Sequence, residues 1–501
     1  MVTSVWASNL IWTLLGLNWV LEGDWRAKWQ RARESRLLQA ILVLLLMHIV
    51  GLLWTTDMAT GMMMLQIKLP LLVVPLVVLT SRPLTGRPRE GVLWFYALAV
   101  FVVSIIGTVR LLTIPDLPYR DAVPYLSHIR FALNCCMVIY LASGRLFDRQ
   151  KLRRNKIDLL TRIGAILLIL WLMTFLVMLH SFTAFAVLAV VSLLILAVAP
   201  KQVMPLKRRL SLILLWLLLV GSAAIIVARE VHAYYRLTPL AEAPLPVFTP
   251  NGNPYFHAND GLIESGNYIN NYICREELEV QWARKSAMPL DSEVEGGYRL
   301  ESTLVRYLNA LGLPKDSLGV SHLTPTQVAD IEHGVANPVY SSNNPLRKMI
   351  CVMLFEYESF LKTDNVKDFT MLERFELWGA TLKVVEQYPW LGAGTGDVVN
   401  DMHACLSAKS EIADTNKTTH NQYLTLLASF GVVGFAIILF FFLRACRGLR
   451  RQPLFLLAWL FTILISFLTE DTLNTLMGIL FCTWFLPFRN EKTCQVKKSC
   501  D

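Results

Sequence analysis

The sequence is poor in charged residues: Asp, Glu, Lys and Arg make up 17% of its 501 residues, whereas a soluble domain carries about 25%. Its hydrophobic residues, 54% of the total, stand in long uninterrupted runs. This shortage of charge excludes an ordinary soluble globular protein. Runs such as 163–179, 182–199 and 210–228 are long enough to cross a bilayer, and in lipid such runs must be helical.

Other features are missing as well. The nine cysteines include no CxxC pair, and the histidines of the large polar segment lack metal-ligand spacing, so we predict no metal site. The first apolar stretch, 3–21, has no basic start and no small-residue cleavage site, so we expect no cleavable signal peptide. Two of Cys274, Cys351 and Cys405 could pair in an oxidising compartment, but their odd number leaves the pairing open.

The apolar runs and the basic loops between them predict the membrane topology. The formal net charge is +9, and Lys and Arg gather in short loops, which indicates membrane orientation rather than nucleic-acid binding. If the spans alternate, the basic clusters all fall on the cytoplasmic side: 26–36, 82–89, 149–156, 201–209 and 444–451. The predicted spans are 3–21, 37–54, 68–81, 91–109, 131–143, 162–179, 182–199, 210–228, 424–443, 454–469 and 473–488.

This pattern predicts an all-α polytopic membrane protein with about 11 transmembrane helices and one large, mostly helical periplasmic loop domain. We expect an N-terminal membrane bundle of about eight helices at 1–228 and a periplasmic domain at 229–423. About three further helices and a cytoplasmic tail follow at 424–501. The loop is polar, and apolar residues recur at helical spacing over 371–385, which indicates a folded domain rather than a linker.

The densest group of chemically capable residues runs from Arg374 to His420. His420 lies just before the ninth span, and because histidine titrates near neutral pH it could act as a base at the membrane surface. Arg374 can hold phosphate oxygens with its guanidinium fork, and the glycines of 392–396 allow close backbone approach. The plainer interpretations are a structural hydrogen bond for His420, a solvated Arg374 and a simple turn.

A second group lies at the outer end of the fifth span. His128 and Arg130 are costly there unless they face a cavity, and the alternative is that they snorkel to the lipid head groups. Together with Arg110 and Arg120 they could form a basic vestibule for phosphates.

A third group consists of two adjacent carboxylates, Glu470 and Asp471, in the outer turn between the last two spans. They could bind a cation, orient His420 or repel one another. A solvated hairpin turn is the plainer interpretation.

Taken together, these motifs resemble the O-antigen ligase / O-antigen polymerase superfamily, the integral-membrane glycosyltransferases that use undecaprenyl-pyrophosphate-linked glycans. The resemblance is carried by Arg374-x-x-x-Trp378, Pro389-x-x-Gly392-x-Gly394-x-Gly396-Asp397 and His420-Asn421-x-Tyr423-Leu424, followed by Gly431 and Gly434. Further segments are similar to the Bacteroidetes branch: 19–24, 68–70 at the start of the third predicted span, 127–131, 274–278 and 303–308.

The resemblance implies a role for each matched residue. His420 would deprotonate an acceptor sugar hydroxyl, Arg374 would engage the pyrophosphate, and Arg130 would be a second phosphate contact. The family works without a metal, a cofactor or a nucleotide sugar. The other residues implied in substrate or pyrophosphate binding are His128, Asn421, Gly394, Gly396 and Asp397, with Glu470 and Asp471 as supporting residues.

The sequence departs from the family pattern in two ways. Many relatives carry an arginine in a middle span, but the comparable stretch here, 180–183, reads His-Ser-Phe-Thr, so one phosphate contact is in doubt. The predicted external N-terminus also leaves one first helix of the relatives without a counterpart.

We therefore predict a metal-independent O-antigen ligase of the bacterial inner membrane. It would move a glycan from undecaprenyl pyrophosphate to lipid A–core, with these substrates and membrane lipids as partners. The alternative within the same chemistry is a polymerase that extends the carrier-linked glycan, and attachment of glycans to protein is a third form. A transporter would require charged or broken helices at the bilayer midplane and inverted repeats, and we expect neither.

Overall fold

The computed structural model describes residues 5–81, 84, 86–114, 117–124, 126–147, 156–198, 205–295, 297–342, 344–363, 372–406, 417–447 and 452–488. Part of the topology prediction concerns residues outside these ranges. Parts of the basic clusters at 82–89, 149–156, 201–209 and 444–451, and the whole tail from residue 489, lie outside the described residues.

Nearly all regular structure in these ranges is helical, which confirms the predicted fold class. The only two strands among the described residues, β1 (Ile263–Glu264) and β2 (Asn267–Tyr268), form a short antiparallel pair. The helices are α1 Val5–Leu21, α2 Trp25–Glu34, α3 Arg36–Val50, α4 Met58–Thr80, α5 Gly86–Thr113, α6 His128–Phe147, α7 Lys156–Met178, α8 Phe182–Val198, α9 Leu206–Tyr235, α10 Pro239–Glu242, α11 Arg275–Trp282, α12 Leu300–Ala310, α13 Ser317–Ser321, α14 Pro325–Glu332, α15 Pro345–Thr363, α16 Leu372–Gln387, α17 Val398–Cys405, α18 Gln422–Cys446, α19 Leu454–Ser466 and α20 Leu476–Trp484.

Length and composition identify the membrane-spanning helices. Within the described residues, seven helices are long and apolar enough to cross a membrane, and four shorter apolar helices of 10–17 residues accompany them. Each predicted span coincides with one of these helices. The protein is therefore an all-α polytopic membrane protein, as its long charge-free runs predict.

The third span begins ten residues earlier than the sequence indicated. Helix α4 starts at Met58, where Asp57 caps it by accepting a hydrogen bond from the Thr60 backbone N–H (3.0 Å). Lys68 and Pro70, which we expected at the start of the span, therefore lie inside the helix. The buried partner of Lys68, described below, explains why a charged residue is tolerated there.

Helix α18 is broken at Gly431, where the backbone adopts φ 59° and ψ −172°. The break leaves the carbonyls of the preceding turn without helical partners. The backbone N–H groups of Ala393 and Gly394 fill this gap, because they donate to the carbonyls of Ala428 (2.8 Å) and Ser429 (3.0 Å).

The other side of the break is satisfied by the same segment. The N–H groups of Val432 and Val433 donate to the carbonyls of Pro389 (2.8 Å) and Trp390 (3.3 Å). We expected no charged or broken helix at the bilayer midplane, and the sequence did not indicate this break within a membrane-spanning helix. The partners of the break lie about forty residues away, where no local pattern reveals them.

The described residues form two compact units, 1–216 with 374–501 and 217–373. The first unit contains the largest buried apolar cluster, which is built mainly from α5, α6, α7, α8, α19 and α20. In the second unit, α11, α12 and α14 pack around Trp282, Leu304 and Ile331. A buried ion pair between Arg306 and Glu264 (2.9 Å) ties α12 to β1.

We predict that Gly431→Ala destabilises the protein by about 1–3 kcal/mol, the usual range for a strained backbone position. A Cβ at Gly431 would lie 2.3 Å from the carbonyl carbon of Trp390. The measurement is thermal unfolding of the detergent-solubilised protein. The matched control is Gly164→Ala in α7, where a Cβ meets nothing within 4 Å, and equal melting of both variants would contradict the prediction.

Candidate active site

The glycine-rich segment packs tightly against the chain that precedes α4. A Cβ on Gly394 would lie 2.5 Å from the hydroxyl oxygen of Thr55, and one on Gly396 would lie 2.3 Å from the carbonyl oxygen of Asp57. Only glycine fits at either position, and Gly394 also has a positive φ of 103°. The close backbone approach that the sequence indicated is therefore an approach to another part of this chain.

Asp397 completes this packing. Its two carboxylate oxygens accept hydrogen bonds from the backbone N–H groups of Thr56 and Asp57, both at 2.7 Å. These N–H groups stand beside the N-terminus of α4, where a negative charge is favourable. The binding roles predicted for Gly394, Gly396 and Asp397 stay predictions, since backbone packing alone accounts for these residue types.

His420 and Asn421 form the turn that starts α18. The Asn421 side chain caps the helix by accepting from the backbone N–H groups of Tyr423 (3.1 Å) and Leu424 (3.2 Å). His420 has a left-handed backbone with φ 51°, which is uncommon for a residue other than glycine. Its side chain is one-third exposed, so the imidazole can reach a substrate.

The turn between α19 and α20 meets this helix start. Asp471 accepts a hydrogen bond from the His420 backbone N–H (2.9 Å) and another from the Thr425 hydroxyl (2.6 Å). Gln422 connects the same two segments, because its side-chain oxygen accepts from the Leu473 N–H (2.7 Å). Asp471 thus anchors the backbone of His420 rather than its ring.

Glu470 lies between the other two central groups. One carboxylate oxygen accepts from Arg374 Nη2 at 3.1 Å, and the second lies 3.9 Å from His420 Nδ1. Burial by itself raises the pKa of the Glu470 carboxyl. The nearby His420 ring and the positive charges of Arg374 and Arg130 outweigh burial, so this pKa lies below its ordinary value.

Arg130 and His128 approach the same turn from the N-terminus of α6. Arg130 donates to the hydroxyl of Thr475, the N-cap of α20, and its charge acts on Glu470. The ring of Tyr119 packs against both His128 (5.8 Å) and His180 (5.1 Å between centroids). Tyr119 thus connects His180 with His128.

The structure thus brings together the residues that sequence spacing could only suggest one at a time. Arg374, His420, Glu470, Asp471 and Arg130 form one connected cluster. The sequence analysis missed Thr425, Gln422 and Thr475. These residues carry no motif signal, because a polar residue near a helix end is common in any protein.

An apolar cavity of about 440 Å³ lies between α3, α18, α19 and α20, and at one end it reaches the turn that holds Glu470 and Asp471. Trp459 and Ile463 line its middle, and Phe467 lies in the turn that also holds Glu470 and Asp471. Arg36 and Arg447 line it as well, on the side predicted to be cytoplasmic. An apolar channel with a charged site beside it suits a molecule with a lipid tail and a polar head.

Two further observations concern metals and cysteines. Among the described residues, no group of three or more His, Cys, Asp or Glu side chains could hold a metal ion. Cys274 and Cys351 are buried free thiols, and Cys405 is a partly buried free thiol.

The fold and the cluster define a polytopic membrane protein with a charged site at helix ends predicted to face outward. Residues 334–439 match the family model described as O-antigen ligase, Wzy_C. This match confirms the resemblance to the O-antigen ligase / O-antigen polymerase superfamily and supports a ligase- or polymerase-type function, with a lipid-linked glycan and a lipid acceptor as general partners. The matched range includes Arg374 and His420 but neither Glu470 nor Arg130. No curated protein matched the chain.

We predict that the stabilising effect of Glu470 depends on pH. Because its pKa is lowered in the folded state, its contribution is complete above the ordinary glutamate pKa of about 4.3 and is lost as pH falls through the lower, folded-state value. The difference in melting temperature between wild type and Glu470→Gln should therefore shrink from about pH 7 to about pH 3.

The control for this measurement is Glu386→Gln, which removes an exposed carboxylate from α16. Its melting temperature should follow that of wild type at each pH. A difference between wild type and Glu470→Gln that stays constant or grows in acid would contradict the assignment of Glu470 as an ionised partner.

Proposed function

We propose that the protein is an O-antigen ligase-type enzyme, which transfers a glycan from undecaprenyl pyrophosphate to a hydroxyl of a lipid A–core acceptor. The proposed place is the periplasmic face of the bacterial inner membrane, with 229–423 as the periplasmic loop. The observation that carries the proposal is the Glu470 carboxylate, which contacts both Arg374 (3.1 Å) and His420 (3.9 Å). It sets a base and a phosphate-binding cation side by side.

His420 is the proposed base. With Nδ1 turned to Glu470, a proton on Nδ1 is favoured and the Nε2 lone pair is left for the substrate. Nε2 takes the proton of the acceptor hydroxyl while that oxygen bonds to the anomeric carbon of the donor. The carbon–oxygen bond to the pyrophosphate breaks, and undecaprenyl pyrophosphate leaves with the bonding electrons. The Glu470 carboxylate stabilises the imidazolium that forms.

Arg374 is the proposed contact to the leaving group. Guanidinium offers five N–H donors, and Glu470 engages only the Nη2 nitrogen of Arg374. Fixed cations near the pyrophosphate stabilise the charge that develops as it leaves. Arg130, whose charge acts on Glu470, and the exposed Arg120, whose charge acts on His128, extend this positive region.

The apolar cavity supports a lipid-linked donor. Its volume of about 440 Å³ would accommodate only part of an isoprenoid chain, so the rest would lie against the bilayer. Phe467 and Leu473, which line the cavity, belong to the turn that holds Glu470. A tail in this cavity would therefore bring the pyrophosphate towards Arg374.

Ligase and polymerase differ in the acceptor and not in this chemistry. Our proposal of a ligase follows the late position of the large loop, before the last three spans. The proposed enzyme is similar to the Bacteroidetes branch and works without a metal ion.

The test is complementation of a ligase-deficient strain with wild type, His420→Ala and His322→Ala, expressed at equal levels. His322 is an exposed histidine in the second unit whose ring bonds to its own helix, and its variant should behave as wild type. Loss of a positioned base typically lowers the rate by about 10²–10⁴-fold. We therefore expect His420→Ala to leave the glycan on undecaprenyl pyrophosphate.

The readout is glycan on lipid A–core against glycan on the carrier, resolved by gel. If wild type lengthens the carrier-linked glycan instead, the protein is a polymerase. If His420→Ala caps lipid A–core as well as His322→Ala does, His420 is structural and the mechanism is wrong.

A further inference from the structure

Lys68 is a buried cation that the mechanism above does not use. It is the eleventh residue of α4, so at 1.5 Å per residue it lies roughly 15 Å along the helix from Met58. Its side chain is only 2% exposed. An ammonium group inside a membrane-spanning helix is costly and has to be paired.

The direct hydrogen-bond partner of Lys68 is a neutral group. Its Nζ donates to the side-chain oxygen of Asn474 at 3.0 Å, which solvates the ammonium but does not balance its charge. The acidic group whose charge acts on Lys68 is Asp471. Asn474 and Asp471 belong to one turn, in which the Asn474 N–H donates to the Asp471 carbonyl at 3.0 Å.

Asp471 connects Lys68 with His420. Its carboxylate is 5% exposed, and both Asp471 and Lys68 line a polar cavity of about 20 Å³ inside the first unit. The two oxygens of Asp471 are engaged by the His420 N–H (2.9 Å) and the Thr425 hydroxyl (2.6 Å). The attraction of Lys68 therefore acts on a carboxylate that already holds the backbone of His420.

His420 needs such an anchor. Its φ of 51° is unfavourable for a residue with a Cβ, and it persists only if the surroundings impose it. A carboxylate that is held in place imposes this backbone conformation by accepting a hydrogen bond from the His420 N–H. The conformation in turn directs the imidazole towards Glu470.

We infer that Lys68 is a positioning residue for the transfer reaction: it holds the turn of Asp471 in place, and Asp471 fixes the backbone from which His420 acts. The inference rests on the proposed role of His420 as base. Lys68 itself does not touch the substrate, because it is buried beneath the turn. A lysine that merely packs would affect folding but not the turnover of the folded protein.

The test uses purified protein and a lipid-linked glycan donor with lipid A–core acceptor, and compares kcat and KM for four variants. These are Lys68→Met, Asp471→Asn, the double variant and the control Lys383→Met, which makes the same substitution at an exposed lysine of α16. Misplacement of a catalytic group by about 1 Å can lower the rate about a hundredfold. We expect Lys68→Met to lower kcat by about ten- to a hundredfold, with little change in KM for the donor, and Lys383→Met to match wild type.

The double variant decides whether Lys68 acts through Asp471. Lys68→Met removes one of the two cations whose charges interact with the buried Asp471, the other being Arg130, and Asp471→Asn removes the negative charge itself. Coupled residues show non-additive effects. The fold reduction in kcat of the double variant should therefore be at least about ten times smaller than the two single reductions multiplied together. If Lys68→Met melts at a lower temperature, the double variant should recover part of the loss.

Three results would overturn the inference. Lys68→Met could keep the wild-type kcat, or it could raise KM without lowering kcat. The double variant could show a reduction in kcat equal to the product of the single reductions, or melt at a lower temperature than Lys68→Met. These outcomes differ from failure of the proposed function. In that case wild type would transfer no glycan, and His420→Ala in the same assay would not differ from it.

Discussion

The site depends on one turn, in which two carboxylates stand next to each other between α19 and α20. Glu470 faces Arg374 and the ring of His420, while Asp471 holds the backbone of His420. Adjacent carboxylates normally repel, and here each is offset by its own cation or hydrogen-bond donors. Removing one partner of a buried charge pair typically costs about 3–5 kcal/mol, because the other charge is left uncompensated. A substitution in this turn is therefore expected to affect both the stability of the fold and the positions of His420 and Arg374.

The break in α18 is a second constraint, and it acts on the segment between α16 and α17. The break of α18 at Gly431 exposes backbone groups that must find partners in a membrane protein, and the segment 389–394 supplies them. The same segment continues into Gly394, Gly396 and Asp397, which clamp the start of α4. The glycine motif thus fixes residues 389–397 against both the break of α18 and the start of α4.

The sequence predicted much of the fold and part of the site, and the misses have physical reasons. The spans were predictable because charge is excluded from lipid, whereas the start of α4 was not, since Lys68 and Pro70 resemble a helix boundary until Asn474 is known to lie beside them. On α16 the apolar spacing included Phe375, but Phe375 is exposed and Leu377 is buried. The apolar spacing therefore predicted the helix but not the side of it that faces the rest of the protein.

The site shows the same limit. Arg374 and His420 belong to a local motif and could be singled out, whereas their partners are remote. Glu470 is 96 residues from Arg374, and Asp471 is 51 residues from His420. No spacing rule connects positions so far apart, and the adjacent carboxylates alone suited a solvated turn equally well. The apposition of base, cation and carboxylate is information that only the folded chain carries.

The stereochemistry of transfer tests the central claim most directly. If His420 activates the acceptor hydroxyl and that hydroxyl displaces undecaprenyl pyrophosphate in one step, the configuration at the anomeric carbon must invert. A donor of defined anomeric configuration, incubated with the purified protein, would give a product whose linkage NMR can read. The account predicts inversion. Retention would contradict it, because retention requires a covalent glycosyl–enzyme intermediate, and Glu470, which faces the His420 ring, would then be the candidate nucleophile.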